Sequence, residues 1–310
     1  MDVMSEDPLP NIEGLIWSTV EPTVVEPTSK HRFTIVLCHG RGSTGRYFKD
    51  ELFESVGSSG LTLREHFPSV KWVFPSAGLP IDPREYVQDE AQWFAISSLL
   101  DPDKEQLRQK YGVSQSIKYL HRIIGQETQK LNGKSSRIIL GGISQGAAVA
   151  VHALLSGPNR LNSFIGFCSW LPFREVLDEF LFDSGLPVPF ELRLRALYQW
   201  SLGIESTLFS STRTGDVALA EADVLPMATP CFLSHNADDD VINVKLGRAM
   251  RDSLRSLGMK VKWDEHENGD AVLKHWIKEP EGIDHLFAFL ESRMGSPKDA
   301  VTAGDSSASS

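Results

Sequence analysis

Long apolar runs are missing from this 310-residue chain: no window approaches the roughly 18 uninterrupted apolar residues that a membrane-spanning helix requires, so no integral membrane association is expected. Residues 1–10 carry Asp2, Glu6 and Asp7 and lack a basic segment followed by an apolar one, so no signal peptide is read there. Positive charge is short, with 31 Lys+Arg against 41 Asp+Glu and a net charge of −10, which argues against nucleic-acid backbones and anionic membrane surfaces as main partners. Cysteine is scarce too. Cys38, Cys168 and Cys231 each border a short apolar run, and an odd number in such settings reads as reduced core thiols. With no Asn-x-Ser/Thr sequon, the expected location is cytoplasmic. No internal repeat occurs, and no His/Cys/Asp cluster has metal-ligand spacing, so neither a metal nor an organic cofactor is implied.

What the chain does have is alternation. Short β-branched and aromatic runs at 33–38, 70–74, 137–140, 163–168, 230–234 and 259–264 read as buried strands, since they lack the polar alternation of a half-exposed sheet. Amphipathic segments at 114–131, 146–155, 243–257 and 281–294 read as helices; in the last, Ile283, Leu286, Phe287 and Leu290 share a face. Strands alternating with helices predict an α/β fold, a mostly parallel central sheet with helices on both faces. The organisation expected is an irregular N-terminal extension over 1–30, a single domain over 31–294, and a loose tail over 295–310 rich in Gly, Ser, Ala and Asp. One stretch breaks the rhythm. Residues 173–229 hold nine acids against four arginines, 4 − 9 = −5, and place Leu177, Phe180, Leu181 and then Leu194, Leu197, Tyr198 at helical spacing. This reads as a helical insertion.

The most informative residues are Gly142-Ile143-Ser144-Gln145-Gly146, directly after one apolar run and directly before an Ala-rich helical one. A Gly-x-Ser-x-Gly pentapeptide is weak alone. Between a strand and a helix it describes a turn so tight that flanking side chains must be nearly absent, which lifts the serine hydroxyl above the sheet at a helix N-terminus. There the backbone N–H of Gln145 can face developing negative charge, and the glycine-rich loop of His39-Gly40-Arg41-Gly42 can aim a second N–H, that of Arg41, at the same place. A phosphate cradle is the competing reading of that loop, but the Lys and Ser/Thr order of a P-loop is absent. His39 precedes Ser144 and reads as a structural hydrogen-bonding residue.

A serine hydroxyl needs a base to take its proton, and the base needs an acid to hold its tautomer. With the serine on such a strand-turn-helix elbow, the expected chain order is Ser, acid, His. Asp238, Asp239 and Asp240 compete for the acid, and the residues alone do not choose among them. For the base, His275 lies in the loop after the last strand, His266 at that strand's end, and His285 on the last helix away from its apolar face. The loop position favours His275.

These residues resemble the acyl-protein thioesterase and phospholipase/carboxylesterase family of the α/β-hydrolase fold. The resemblance is distributed over about residues 30–293: His39-Gly40 with Gly42 and Thr44-Gly45, Trp93-Phe94 with Ile96, the Ser144 pentapeptide, Trp170-Leu171-Pro172, the His235 to Ile242 run, and His275-Trp276 with Pro280 and Ile283-Asp284. It implies Asp239 as the acid, His275 as the base, and Trp93, Trp170 and Leu171 as substrate-binding residues. The chain departs from the family pattern at Asn236 (usually Gly), Ala95 (usually Asp) and Asn243 (usually Pro), and in the insertion. The expected partner is an acylated protein or a small acyl ester; the insertion's apolar faces around Phe180 and Leu197 either lie against a fatty acyl chain or pack as an extra outer layer with no substrate contact. A broad carboxylesterase or lysophospholipase is the alternative. A catalytically inert hydrolase-fold binding module is the alternative of another class, opposed by the presence together of Ser144, Asp239 and His275.

Overall fold

In the computed structural model, residues 20–78, 91–182, 194, 197–198, 225–267 and 274–295 are described, except for the side chains of 180–182. Seven strands form one sheet in the order β1-β3-β2-β4-β5-β6-β7. They are β1 (Thr23–Val25), β2 (Phe33–Cys38), β3 (Val70–Phe74), β4 (Ile138–Ile143), β5 (Ser163–Phe167), β6 (Cys231–Asn236) and β7 (Val261–His266). Pairing is parallel throughout except between β1 and β3. The α/β class and the mostly parallel sheet expected from the alternating pattern are therefore what the structure has.

Side chains alternate across each strand, and both faces are covered. Val36 and Cys38 of β2 point into one cluster with α3 (Gln106–Lys130), α4 (Gln145–Leu155) and α6 (Val244–Ser256), while Ile35 and Leu37 point into a second with α1 (Gly45–Leu52), α2 (Leu63–His66) and α7 (Glu281–Met294). Every residue of α4 is buried, which is why most of that helix is Ala, Val and Leu. At about 25 cal/mol per Å² of apolar area removed from water, the two clusters are the main source of stability.

Three differences from the sequence reading have physical causes. β1 lies within the 1–30 segment expected to be irregular, and its three residues are too few to show a period; it is defined by its antiparallel register, Thr23 opposite Phe74 and Val25 opposite Trp72. α3 starts eight residues before the expected boundary, at Gln106 rather than Ser114, because Gln109 and Gly112 are buried on it. α1 was not anticipated and starts at a cap, the Thr44 hydroxyl accepting from the Tyr47 N–H at 3.2 Å. The insertion begins as α5 (Arg174–Phe182), which is tied to α6 by the Ser253 hydroxyl donating to Asp178 at 2.8 Å. Further along, buried Tyr198 meets His152 of α4 at 2.8 Å. The rest of the insertion, the side chain of Phe180, and the expected tail from 296 on lie outside the described residues.

Candidate active site

The C-terminal ends of β2, β4, β5 and β6 bring the candidate residues to one edge of the sheet, where ligands of open α/β folds bind. Ser144 occupies the turn between β4 and α4 with φ 54° and ψ −128°, a conformation rare for any residue but glycine. The flanking glycines are obligatory. A Cβ on Gly146 would stand 2.3 Å from the His39 carbonyl oxygen and 2.4 Å from that of Cys38, and one on Gly142 2.5 Å from the Cys38 carbonyl oxygen. β5 holds the turn from the other side: the Ser144 N–H donates to the Phe167 carbonyl at 2.9 Å and the Ser169 hydroxyl donates to the Ser144 carbonyl at 2.8 Å.

The His39–Gly40 loop abuts this turn, Gly40 facing the Ser144 Cβ. His39 is buried and neutral: its Nε2 accepts from the Ala77 N–H at 2.9 Å, so Nδ1 carries the proton donated to the Gly40 carbonyl, and burial pulls its pKa down to about 4. This is the structural role its place in the chain implied. Trp93, entirely buried, donates its indole N–H to the His39 carbonyl at 2.8 Å, and its backbone N–H to the Gln145 side chain at 2.9 Å. The Gln145 amide closes the frame on the Phe94 carbonyl at 2.8 Å. Trp170 and Leu171 are also buried, packed in the cluster that includes Leu177 of α5 and Tyr198.

At β6 the three competing acids separate. Asp239 meets His275, Oδ2 to Nδ1, at 2.8 Å; Asp238 reaches Lys274 at 3.7 Å; Asp240 is exposed. The two remaining histidines turn elsewhere, both to Asp264. Burial alone would raise the Asp239 pKa, but hydrogen bonds from His235 and His275, with a further one from the Ile242 N–H, outweigh it and hold the carboxyl well below the usual range. His235 Nε2 lies 3.2 Å from Asp239 and 2.9 Å from the Ile242 carbonyl, two acceptors, so that nitrogen carries its proton. On the other side of His275, Nε2 is buried and has no hydrogen-bond partner among the described residues.

Asn236 is a residue whose role the sequence reading missed. Its side-chain amide donates to the carbonyls of Lys274, at 2.8 Å, and Trp276, at 2.6 Å, the two neighbours of His275. The signal was present as a departure from the family's glycine, but what it tethers lies far along the chain. Cys168 sits in the same place, with φ 47°, its thiol 3.5 Å from the Trp276 carbonyl. Burial, helped by the Asp239 charge, raises that thiol well above its ordinary pKa, so it stays protonated.

The model of the Phospholipase/Carboxylesterase family matches residues 20–190, more than half of the chain. The chain belongs to that family. Among its relatives, acyl-protein thioesterase 1 of Gibberella zeae is 24% identical over 279 residues, covering 89% of this chain and 96% of that protein. The enzyme of the same name from Schizosaccharomyces pombe is 30% identical over 167 residues, covering 54% of this chain and 68% of that one. In fold, the crystal structure of Zea mays acyl-protein thioesterase 2 superposes with a TM-score of 0.57 at 23% identity, over 89% of this chain and 99% of that one. Esterase PE8 gives 0.58 at 19%, over the same shares. This member of the Phospholipase/Carboxylesterase family is a serine hydrolase of the carboxylesterase and thioesterase kind. Among the described residues, no helix is long and apolar enough to cross a membrane.

Proposed function

We propose that the protein is an acyl-protein thioesterase whose nucleophile is Ser144, with His275 as base and Asp239 as the acid that orients it. The observation that carries this reading is the part-buried Asp239–His275 pair, whose buried Nε2 has no hydrogen-bond partner among the described residues and belongs to the same sheet edge as the strained Ser144 turn. As Ser144 Oγ bonds to the acyl carbon, its proton passes to His275 Nε2, and Asp239 stabilises the imidazolium. The carbonyl electrons move onto oxygen, which the N–H groups of Gln145 and Arg41 receive. Collapse breaks the carbon–sulfur or carbon–oxygen bond, and the imidazolium returns its proton to the leaving group. Water then gives a proton to His275 and attacks the acyl-serine, releasing the acid and restoring Ser144.

With its indole and backbone engaged by His39 and Gln145, Trp93 in this reading holds the oxyanion loop, and contact with the acyl chain falls to Trp170 and Leu171 beneath α5. The catalytic machinery belongs to one domain, and a cytosolic setting is supported by three buried free cysteines. The names of the relatives favour a protein-bound acyl substrate. The test is kcat/KM over matched oxygen esters and thioesters from acetyl to palmitoyl. Preference for long thioesters is the expected result; preference for short oxygen esters makes the protein a general carboxylesterase. Ser144→Ala abolishes both turnover and fluorophosphonate labelling, and labelling that persists at another residue overturns the assignment.

A further inference from the structure

We propose that Asp264, His266 and His285 form a binding site for one divalent transition-metal ion, zinc by the chemistry of the donors, which clips the edge strand of the sheet to the last helix. Asp264 and His266 are two residues apart on β7 and project from the same face of it; His285 comes from α7, which packs there. Asp264 Oδ1 lies 2.8 Å from His285 Nδ1, and Oδ2 lies 2.8 Å from His266 Nε2. The three ligand atoms all fall within 4.8 Å of one another, and the two imidazoles stack at 5.5 Å with planes 26° apart. In a tetrahedral zinc site with bonds of about 2.0–2.1 Å, donor atoms stand about 3.3 Å apart, so the observed spacings bracket what an ion would impose.

The electrostatics point the same way. Asp264 is buried, both of its oxygens face imidazole nitrogens, and among the described residues no lysine or arginine pairs with it. A divalent ion places positive charge beside that carboxylate. Two imidazole nitrogens and one carboxylate suit zinc better than calcium or magnesium, which take all-oxygen shells. The half-exposed His285 leaves solvent to complete the coordination. A sequence scan for ligand spacing does not find this set, because the third donor, His285, enters from α7, a separate element beyond the loop that carries His275.

A second trio, Cys168, Asp239 and His275, has equally close donor atoms. Its thiol is held protonated, which disfavours coordination, but it has to be separated in the test. Protein stripped with EDTA is titrated with zinc by calorimetry, with cobalt absorption as the readout of nitrogen–oxygen coordination and Tm as the readout of stabilisation. Wild type and His275→Ala are expected to bind one ion and rise in Tm. His285→Ala, at an exposed position and outside the ester-cleaving residues, is expected to keep its basal activity, bind at least about tenfold more weakly, and lose the Tm gain. No uptake by wild type at millimolar zinc, unchanged binding by His285→Ala, or loss of binding in His275→Ala alone each overturns the site.

Discussion

At the residue scale, Asp239 is asked to do more than any other group. It accepts from two backbone N–H groups at 2.9 Å each, from His235 and from His275. Asp239→Asn keeps the shape and loses the charge, so kcat is expected to fall by up to about 10⁴ while Asp238→Asn stays close to wild type, measured on one thioester. The same carboxyl ties stability to pH. Its folded pKa is depressed, so its contribution is complete above the unfolded value of about 3.9 and is lost as pH falls below that. The Tm gap between wild type and Asp239→Asn should therefore narrow as pH drops from about 5 toward 3. Asn236 acts one step back, through the carbonyls on either side of His275. Asn236→Gly frees the loop that carries the base, and misplacement of about 1 Å costs up to about 10²-fold. The expected signature is a loss in kcat with KM little changed; an equal loss in both, or none, would show that the tether does not position the base.

At the element scale, the turns that carry the site are set by local chemistry. α6 follows the Asp239 loop directly, and its first turn is capped by the Asn243 side chain accepting from the Lys245 N–H at 3.0 Å. Where the family usually has proline, this chain uses a side-chain cap instead. Asn243→Ala is expected to cost about 1 kcal/mol in denaturant unfolding, with activity following only as far as the Asp239 loop loosens. Gly247, one turn into the same helix, lets it approach His235: a Cβ there would stand 2.3 Å from His235 Nδ1. Helix α6 is therefore the back wall of the acid's hydrogen-bond set.

At the scale of the whole molecule, the described part of the insertion is docked on the body and not merely appended to it. His152 is fully buried between Tyr198, at 2.8 Å, and the Pro172 carbonyl, at 2.9 Å, and burial lowers its pKa to about 4, so it is neutral. Its Nε2–H donates to Pro172, which leaves Nδ1 to accept from the Tyr198 hydroxyl. Tyr198→Phe strands that nitrogen in the core at a cost of about 1–3 kcal/mol in unfolding free energy. A much smaller effect would mean that the insertion contributes little to the fold.

Much of this was legible along the chain, because buried parallel strands read as short apolar runs and the elbow is a local demand met by neighbouring residues. The α/β class and the strained turn at Ser144 come from the sequence in that way, and the positions of β2 to β7 were readable within a few residues. Pairings between distant residues were not legible. Which of three adjacent aspartates faces His275 depends on where the loop after β7 folds back, and composition carries no record of that path. The tether from Asn236, the docking of Tyr198 on His152, and the meeting of Asp264 and His266 with His285 were decided by tertiary structure for the same reason. Local spacing encodes the period of an element and the tightness of a turn, whereas side chains far apart in the chain meet only after the sheet and its helices have packed.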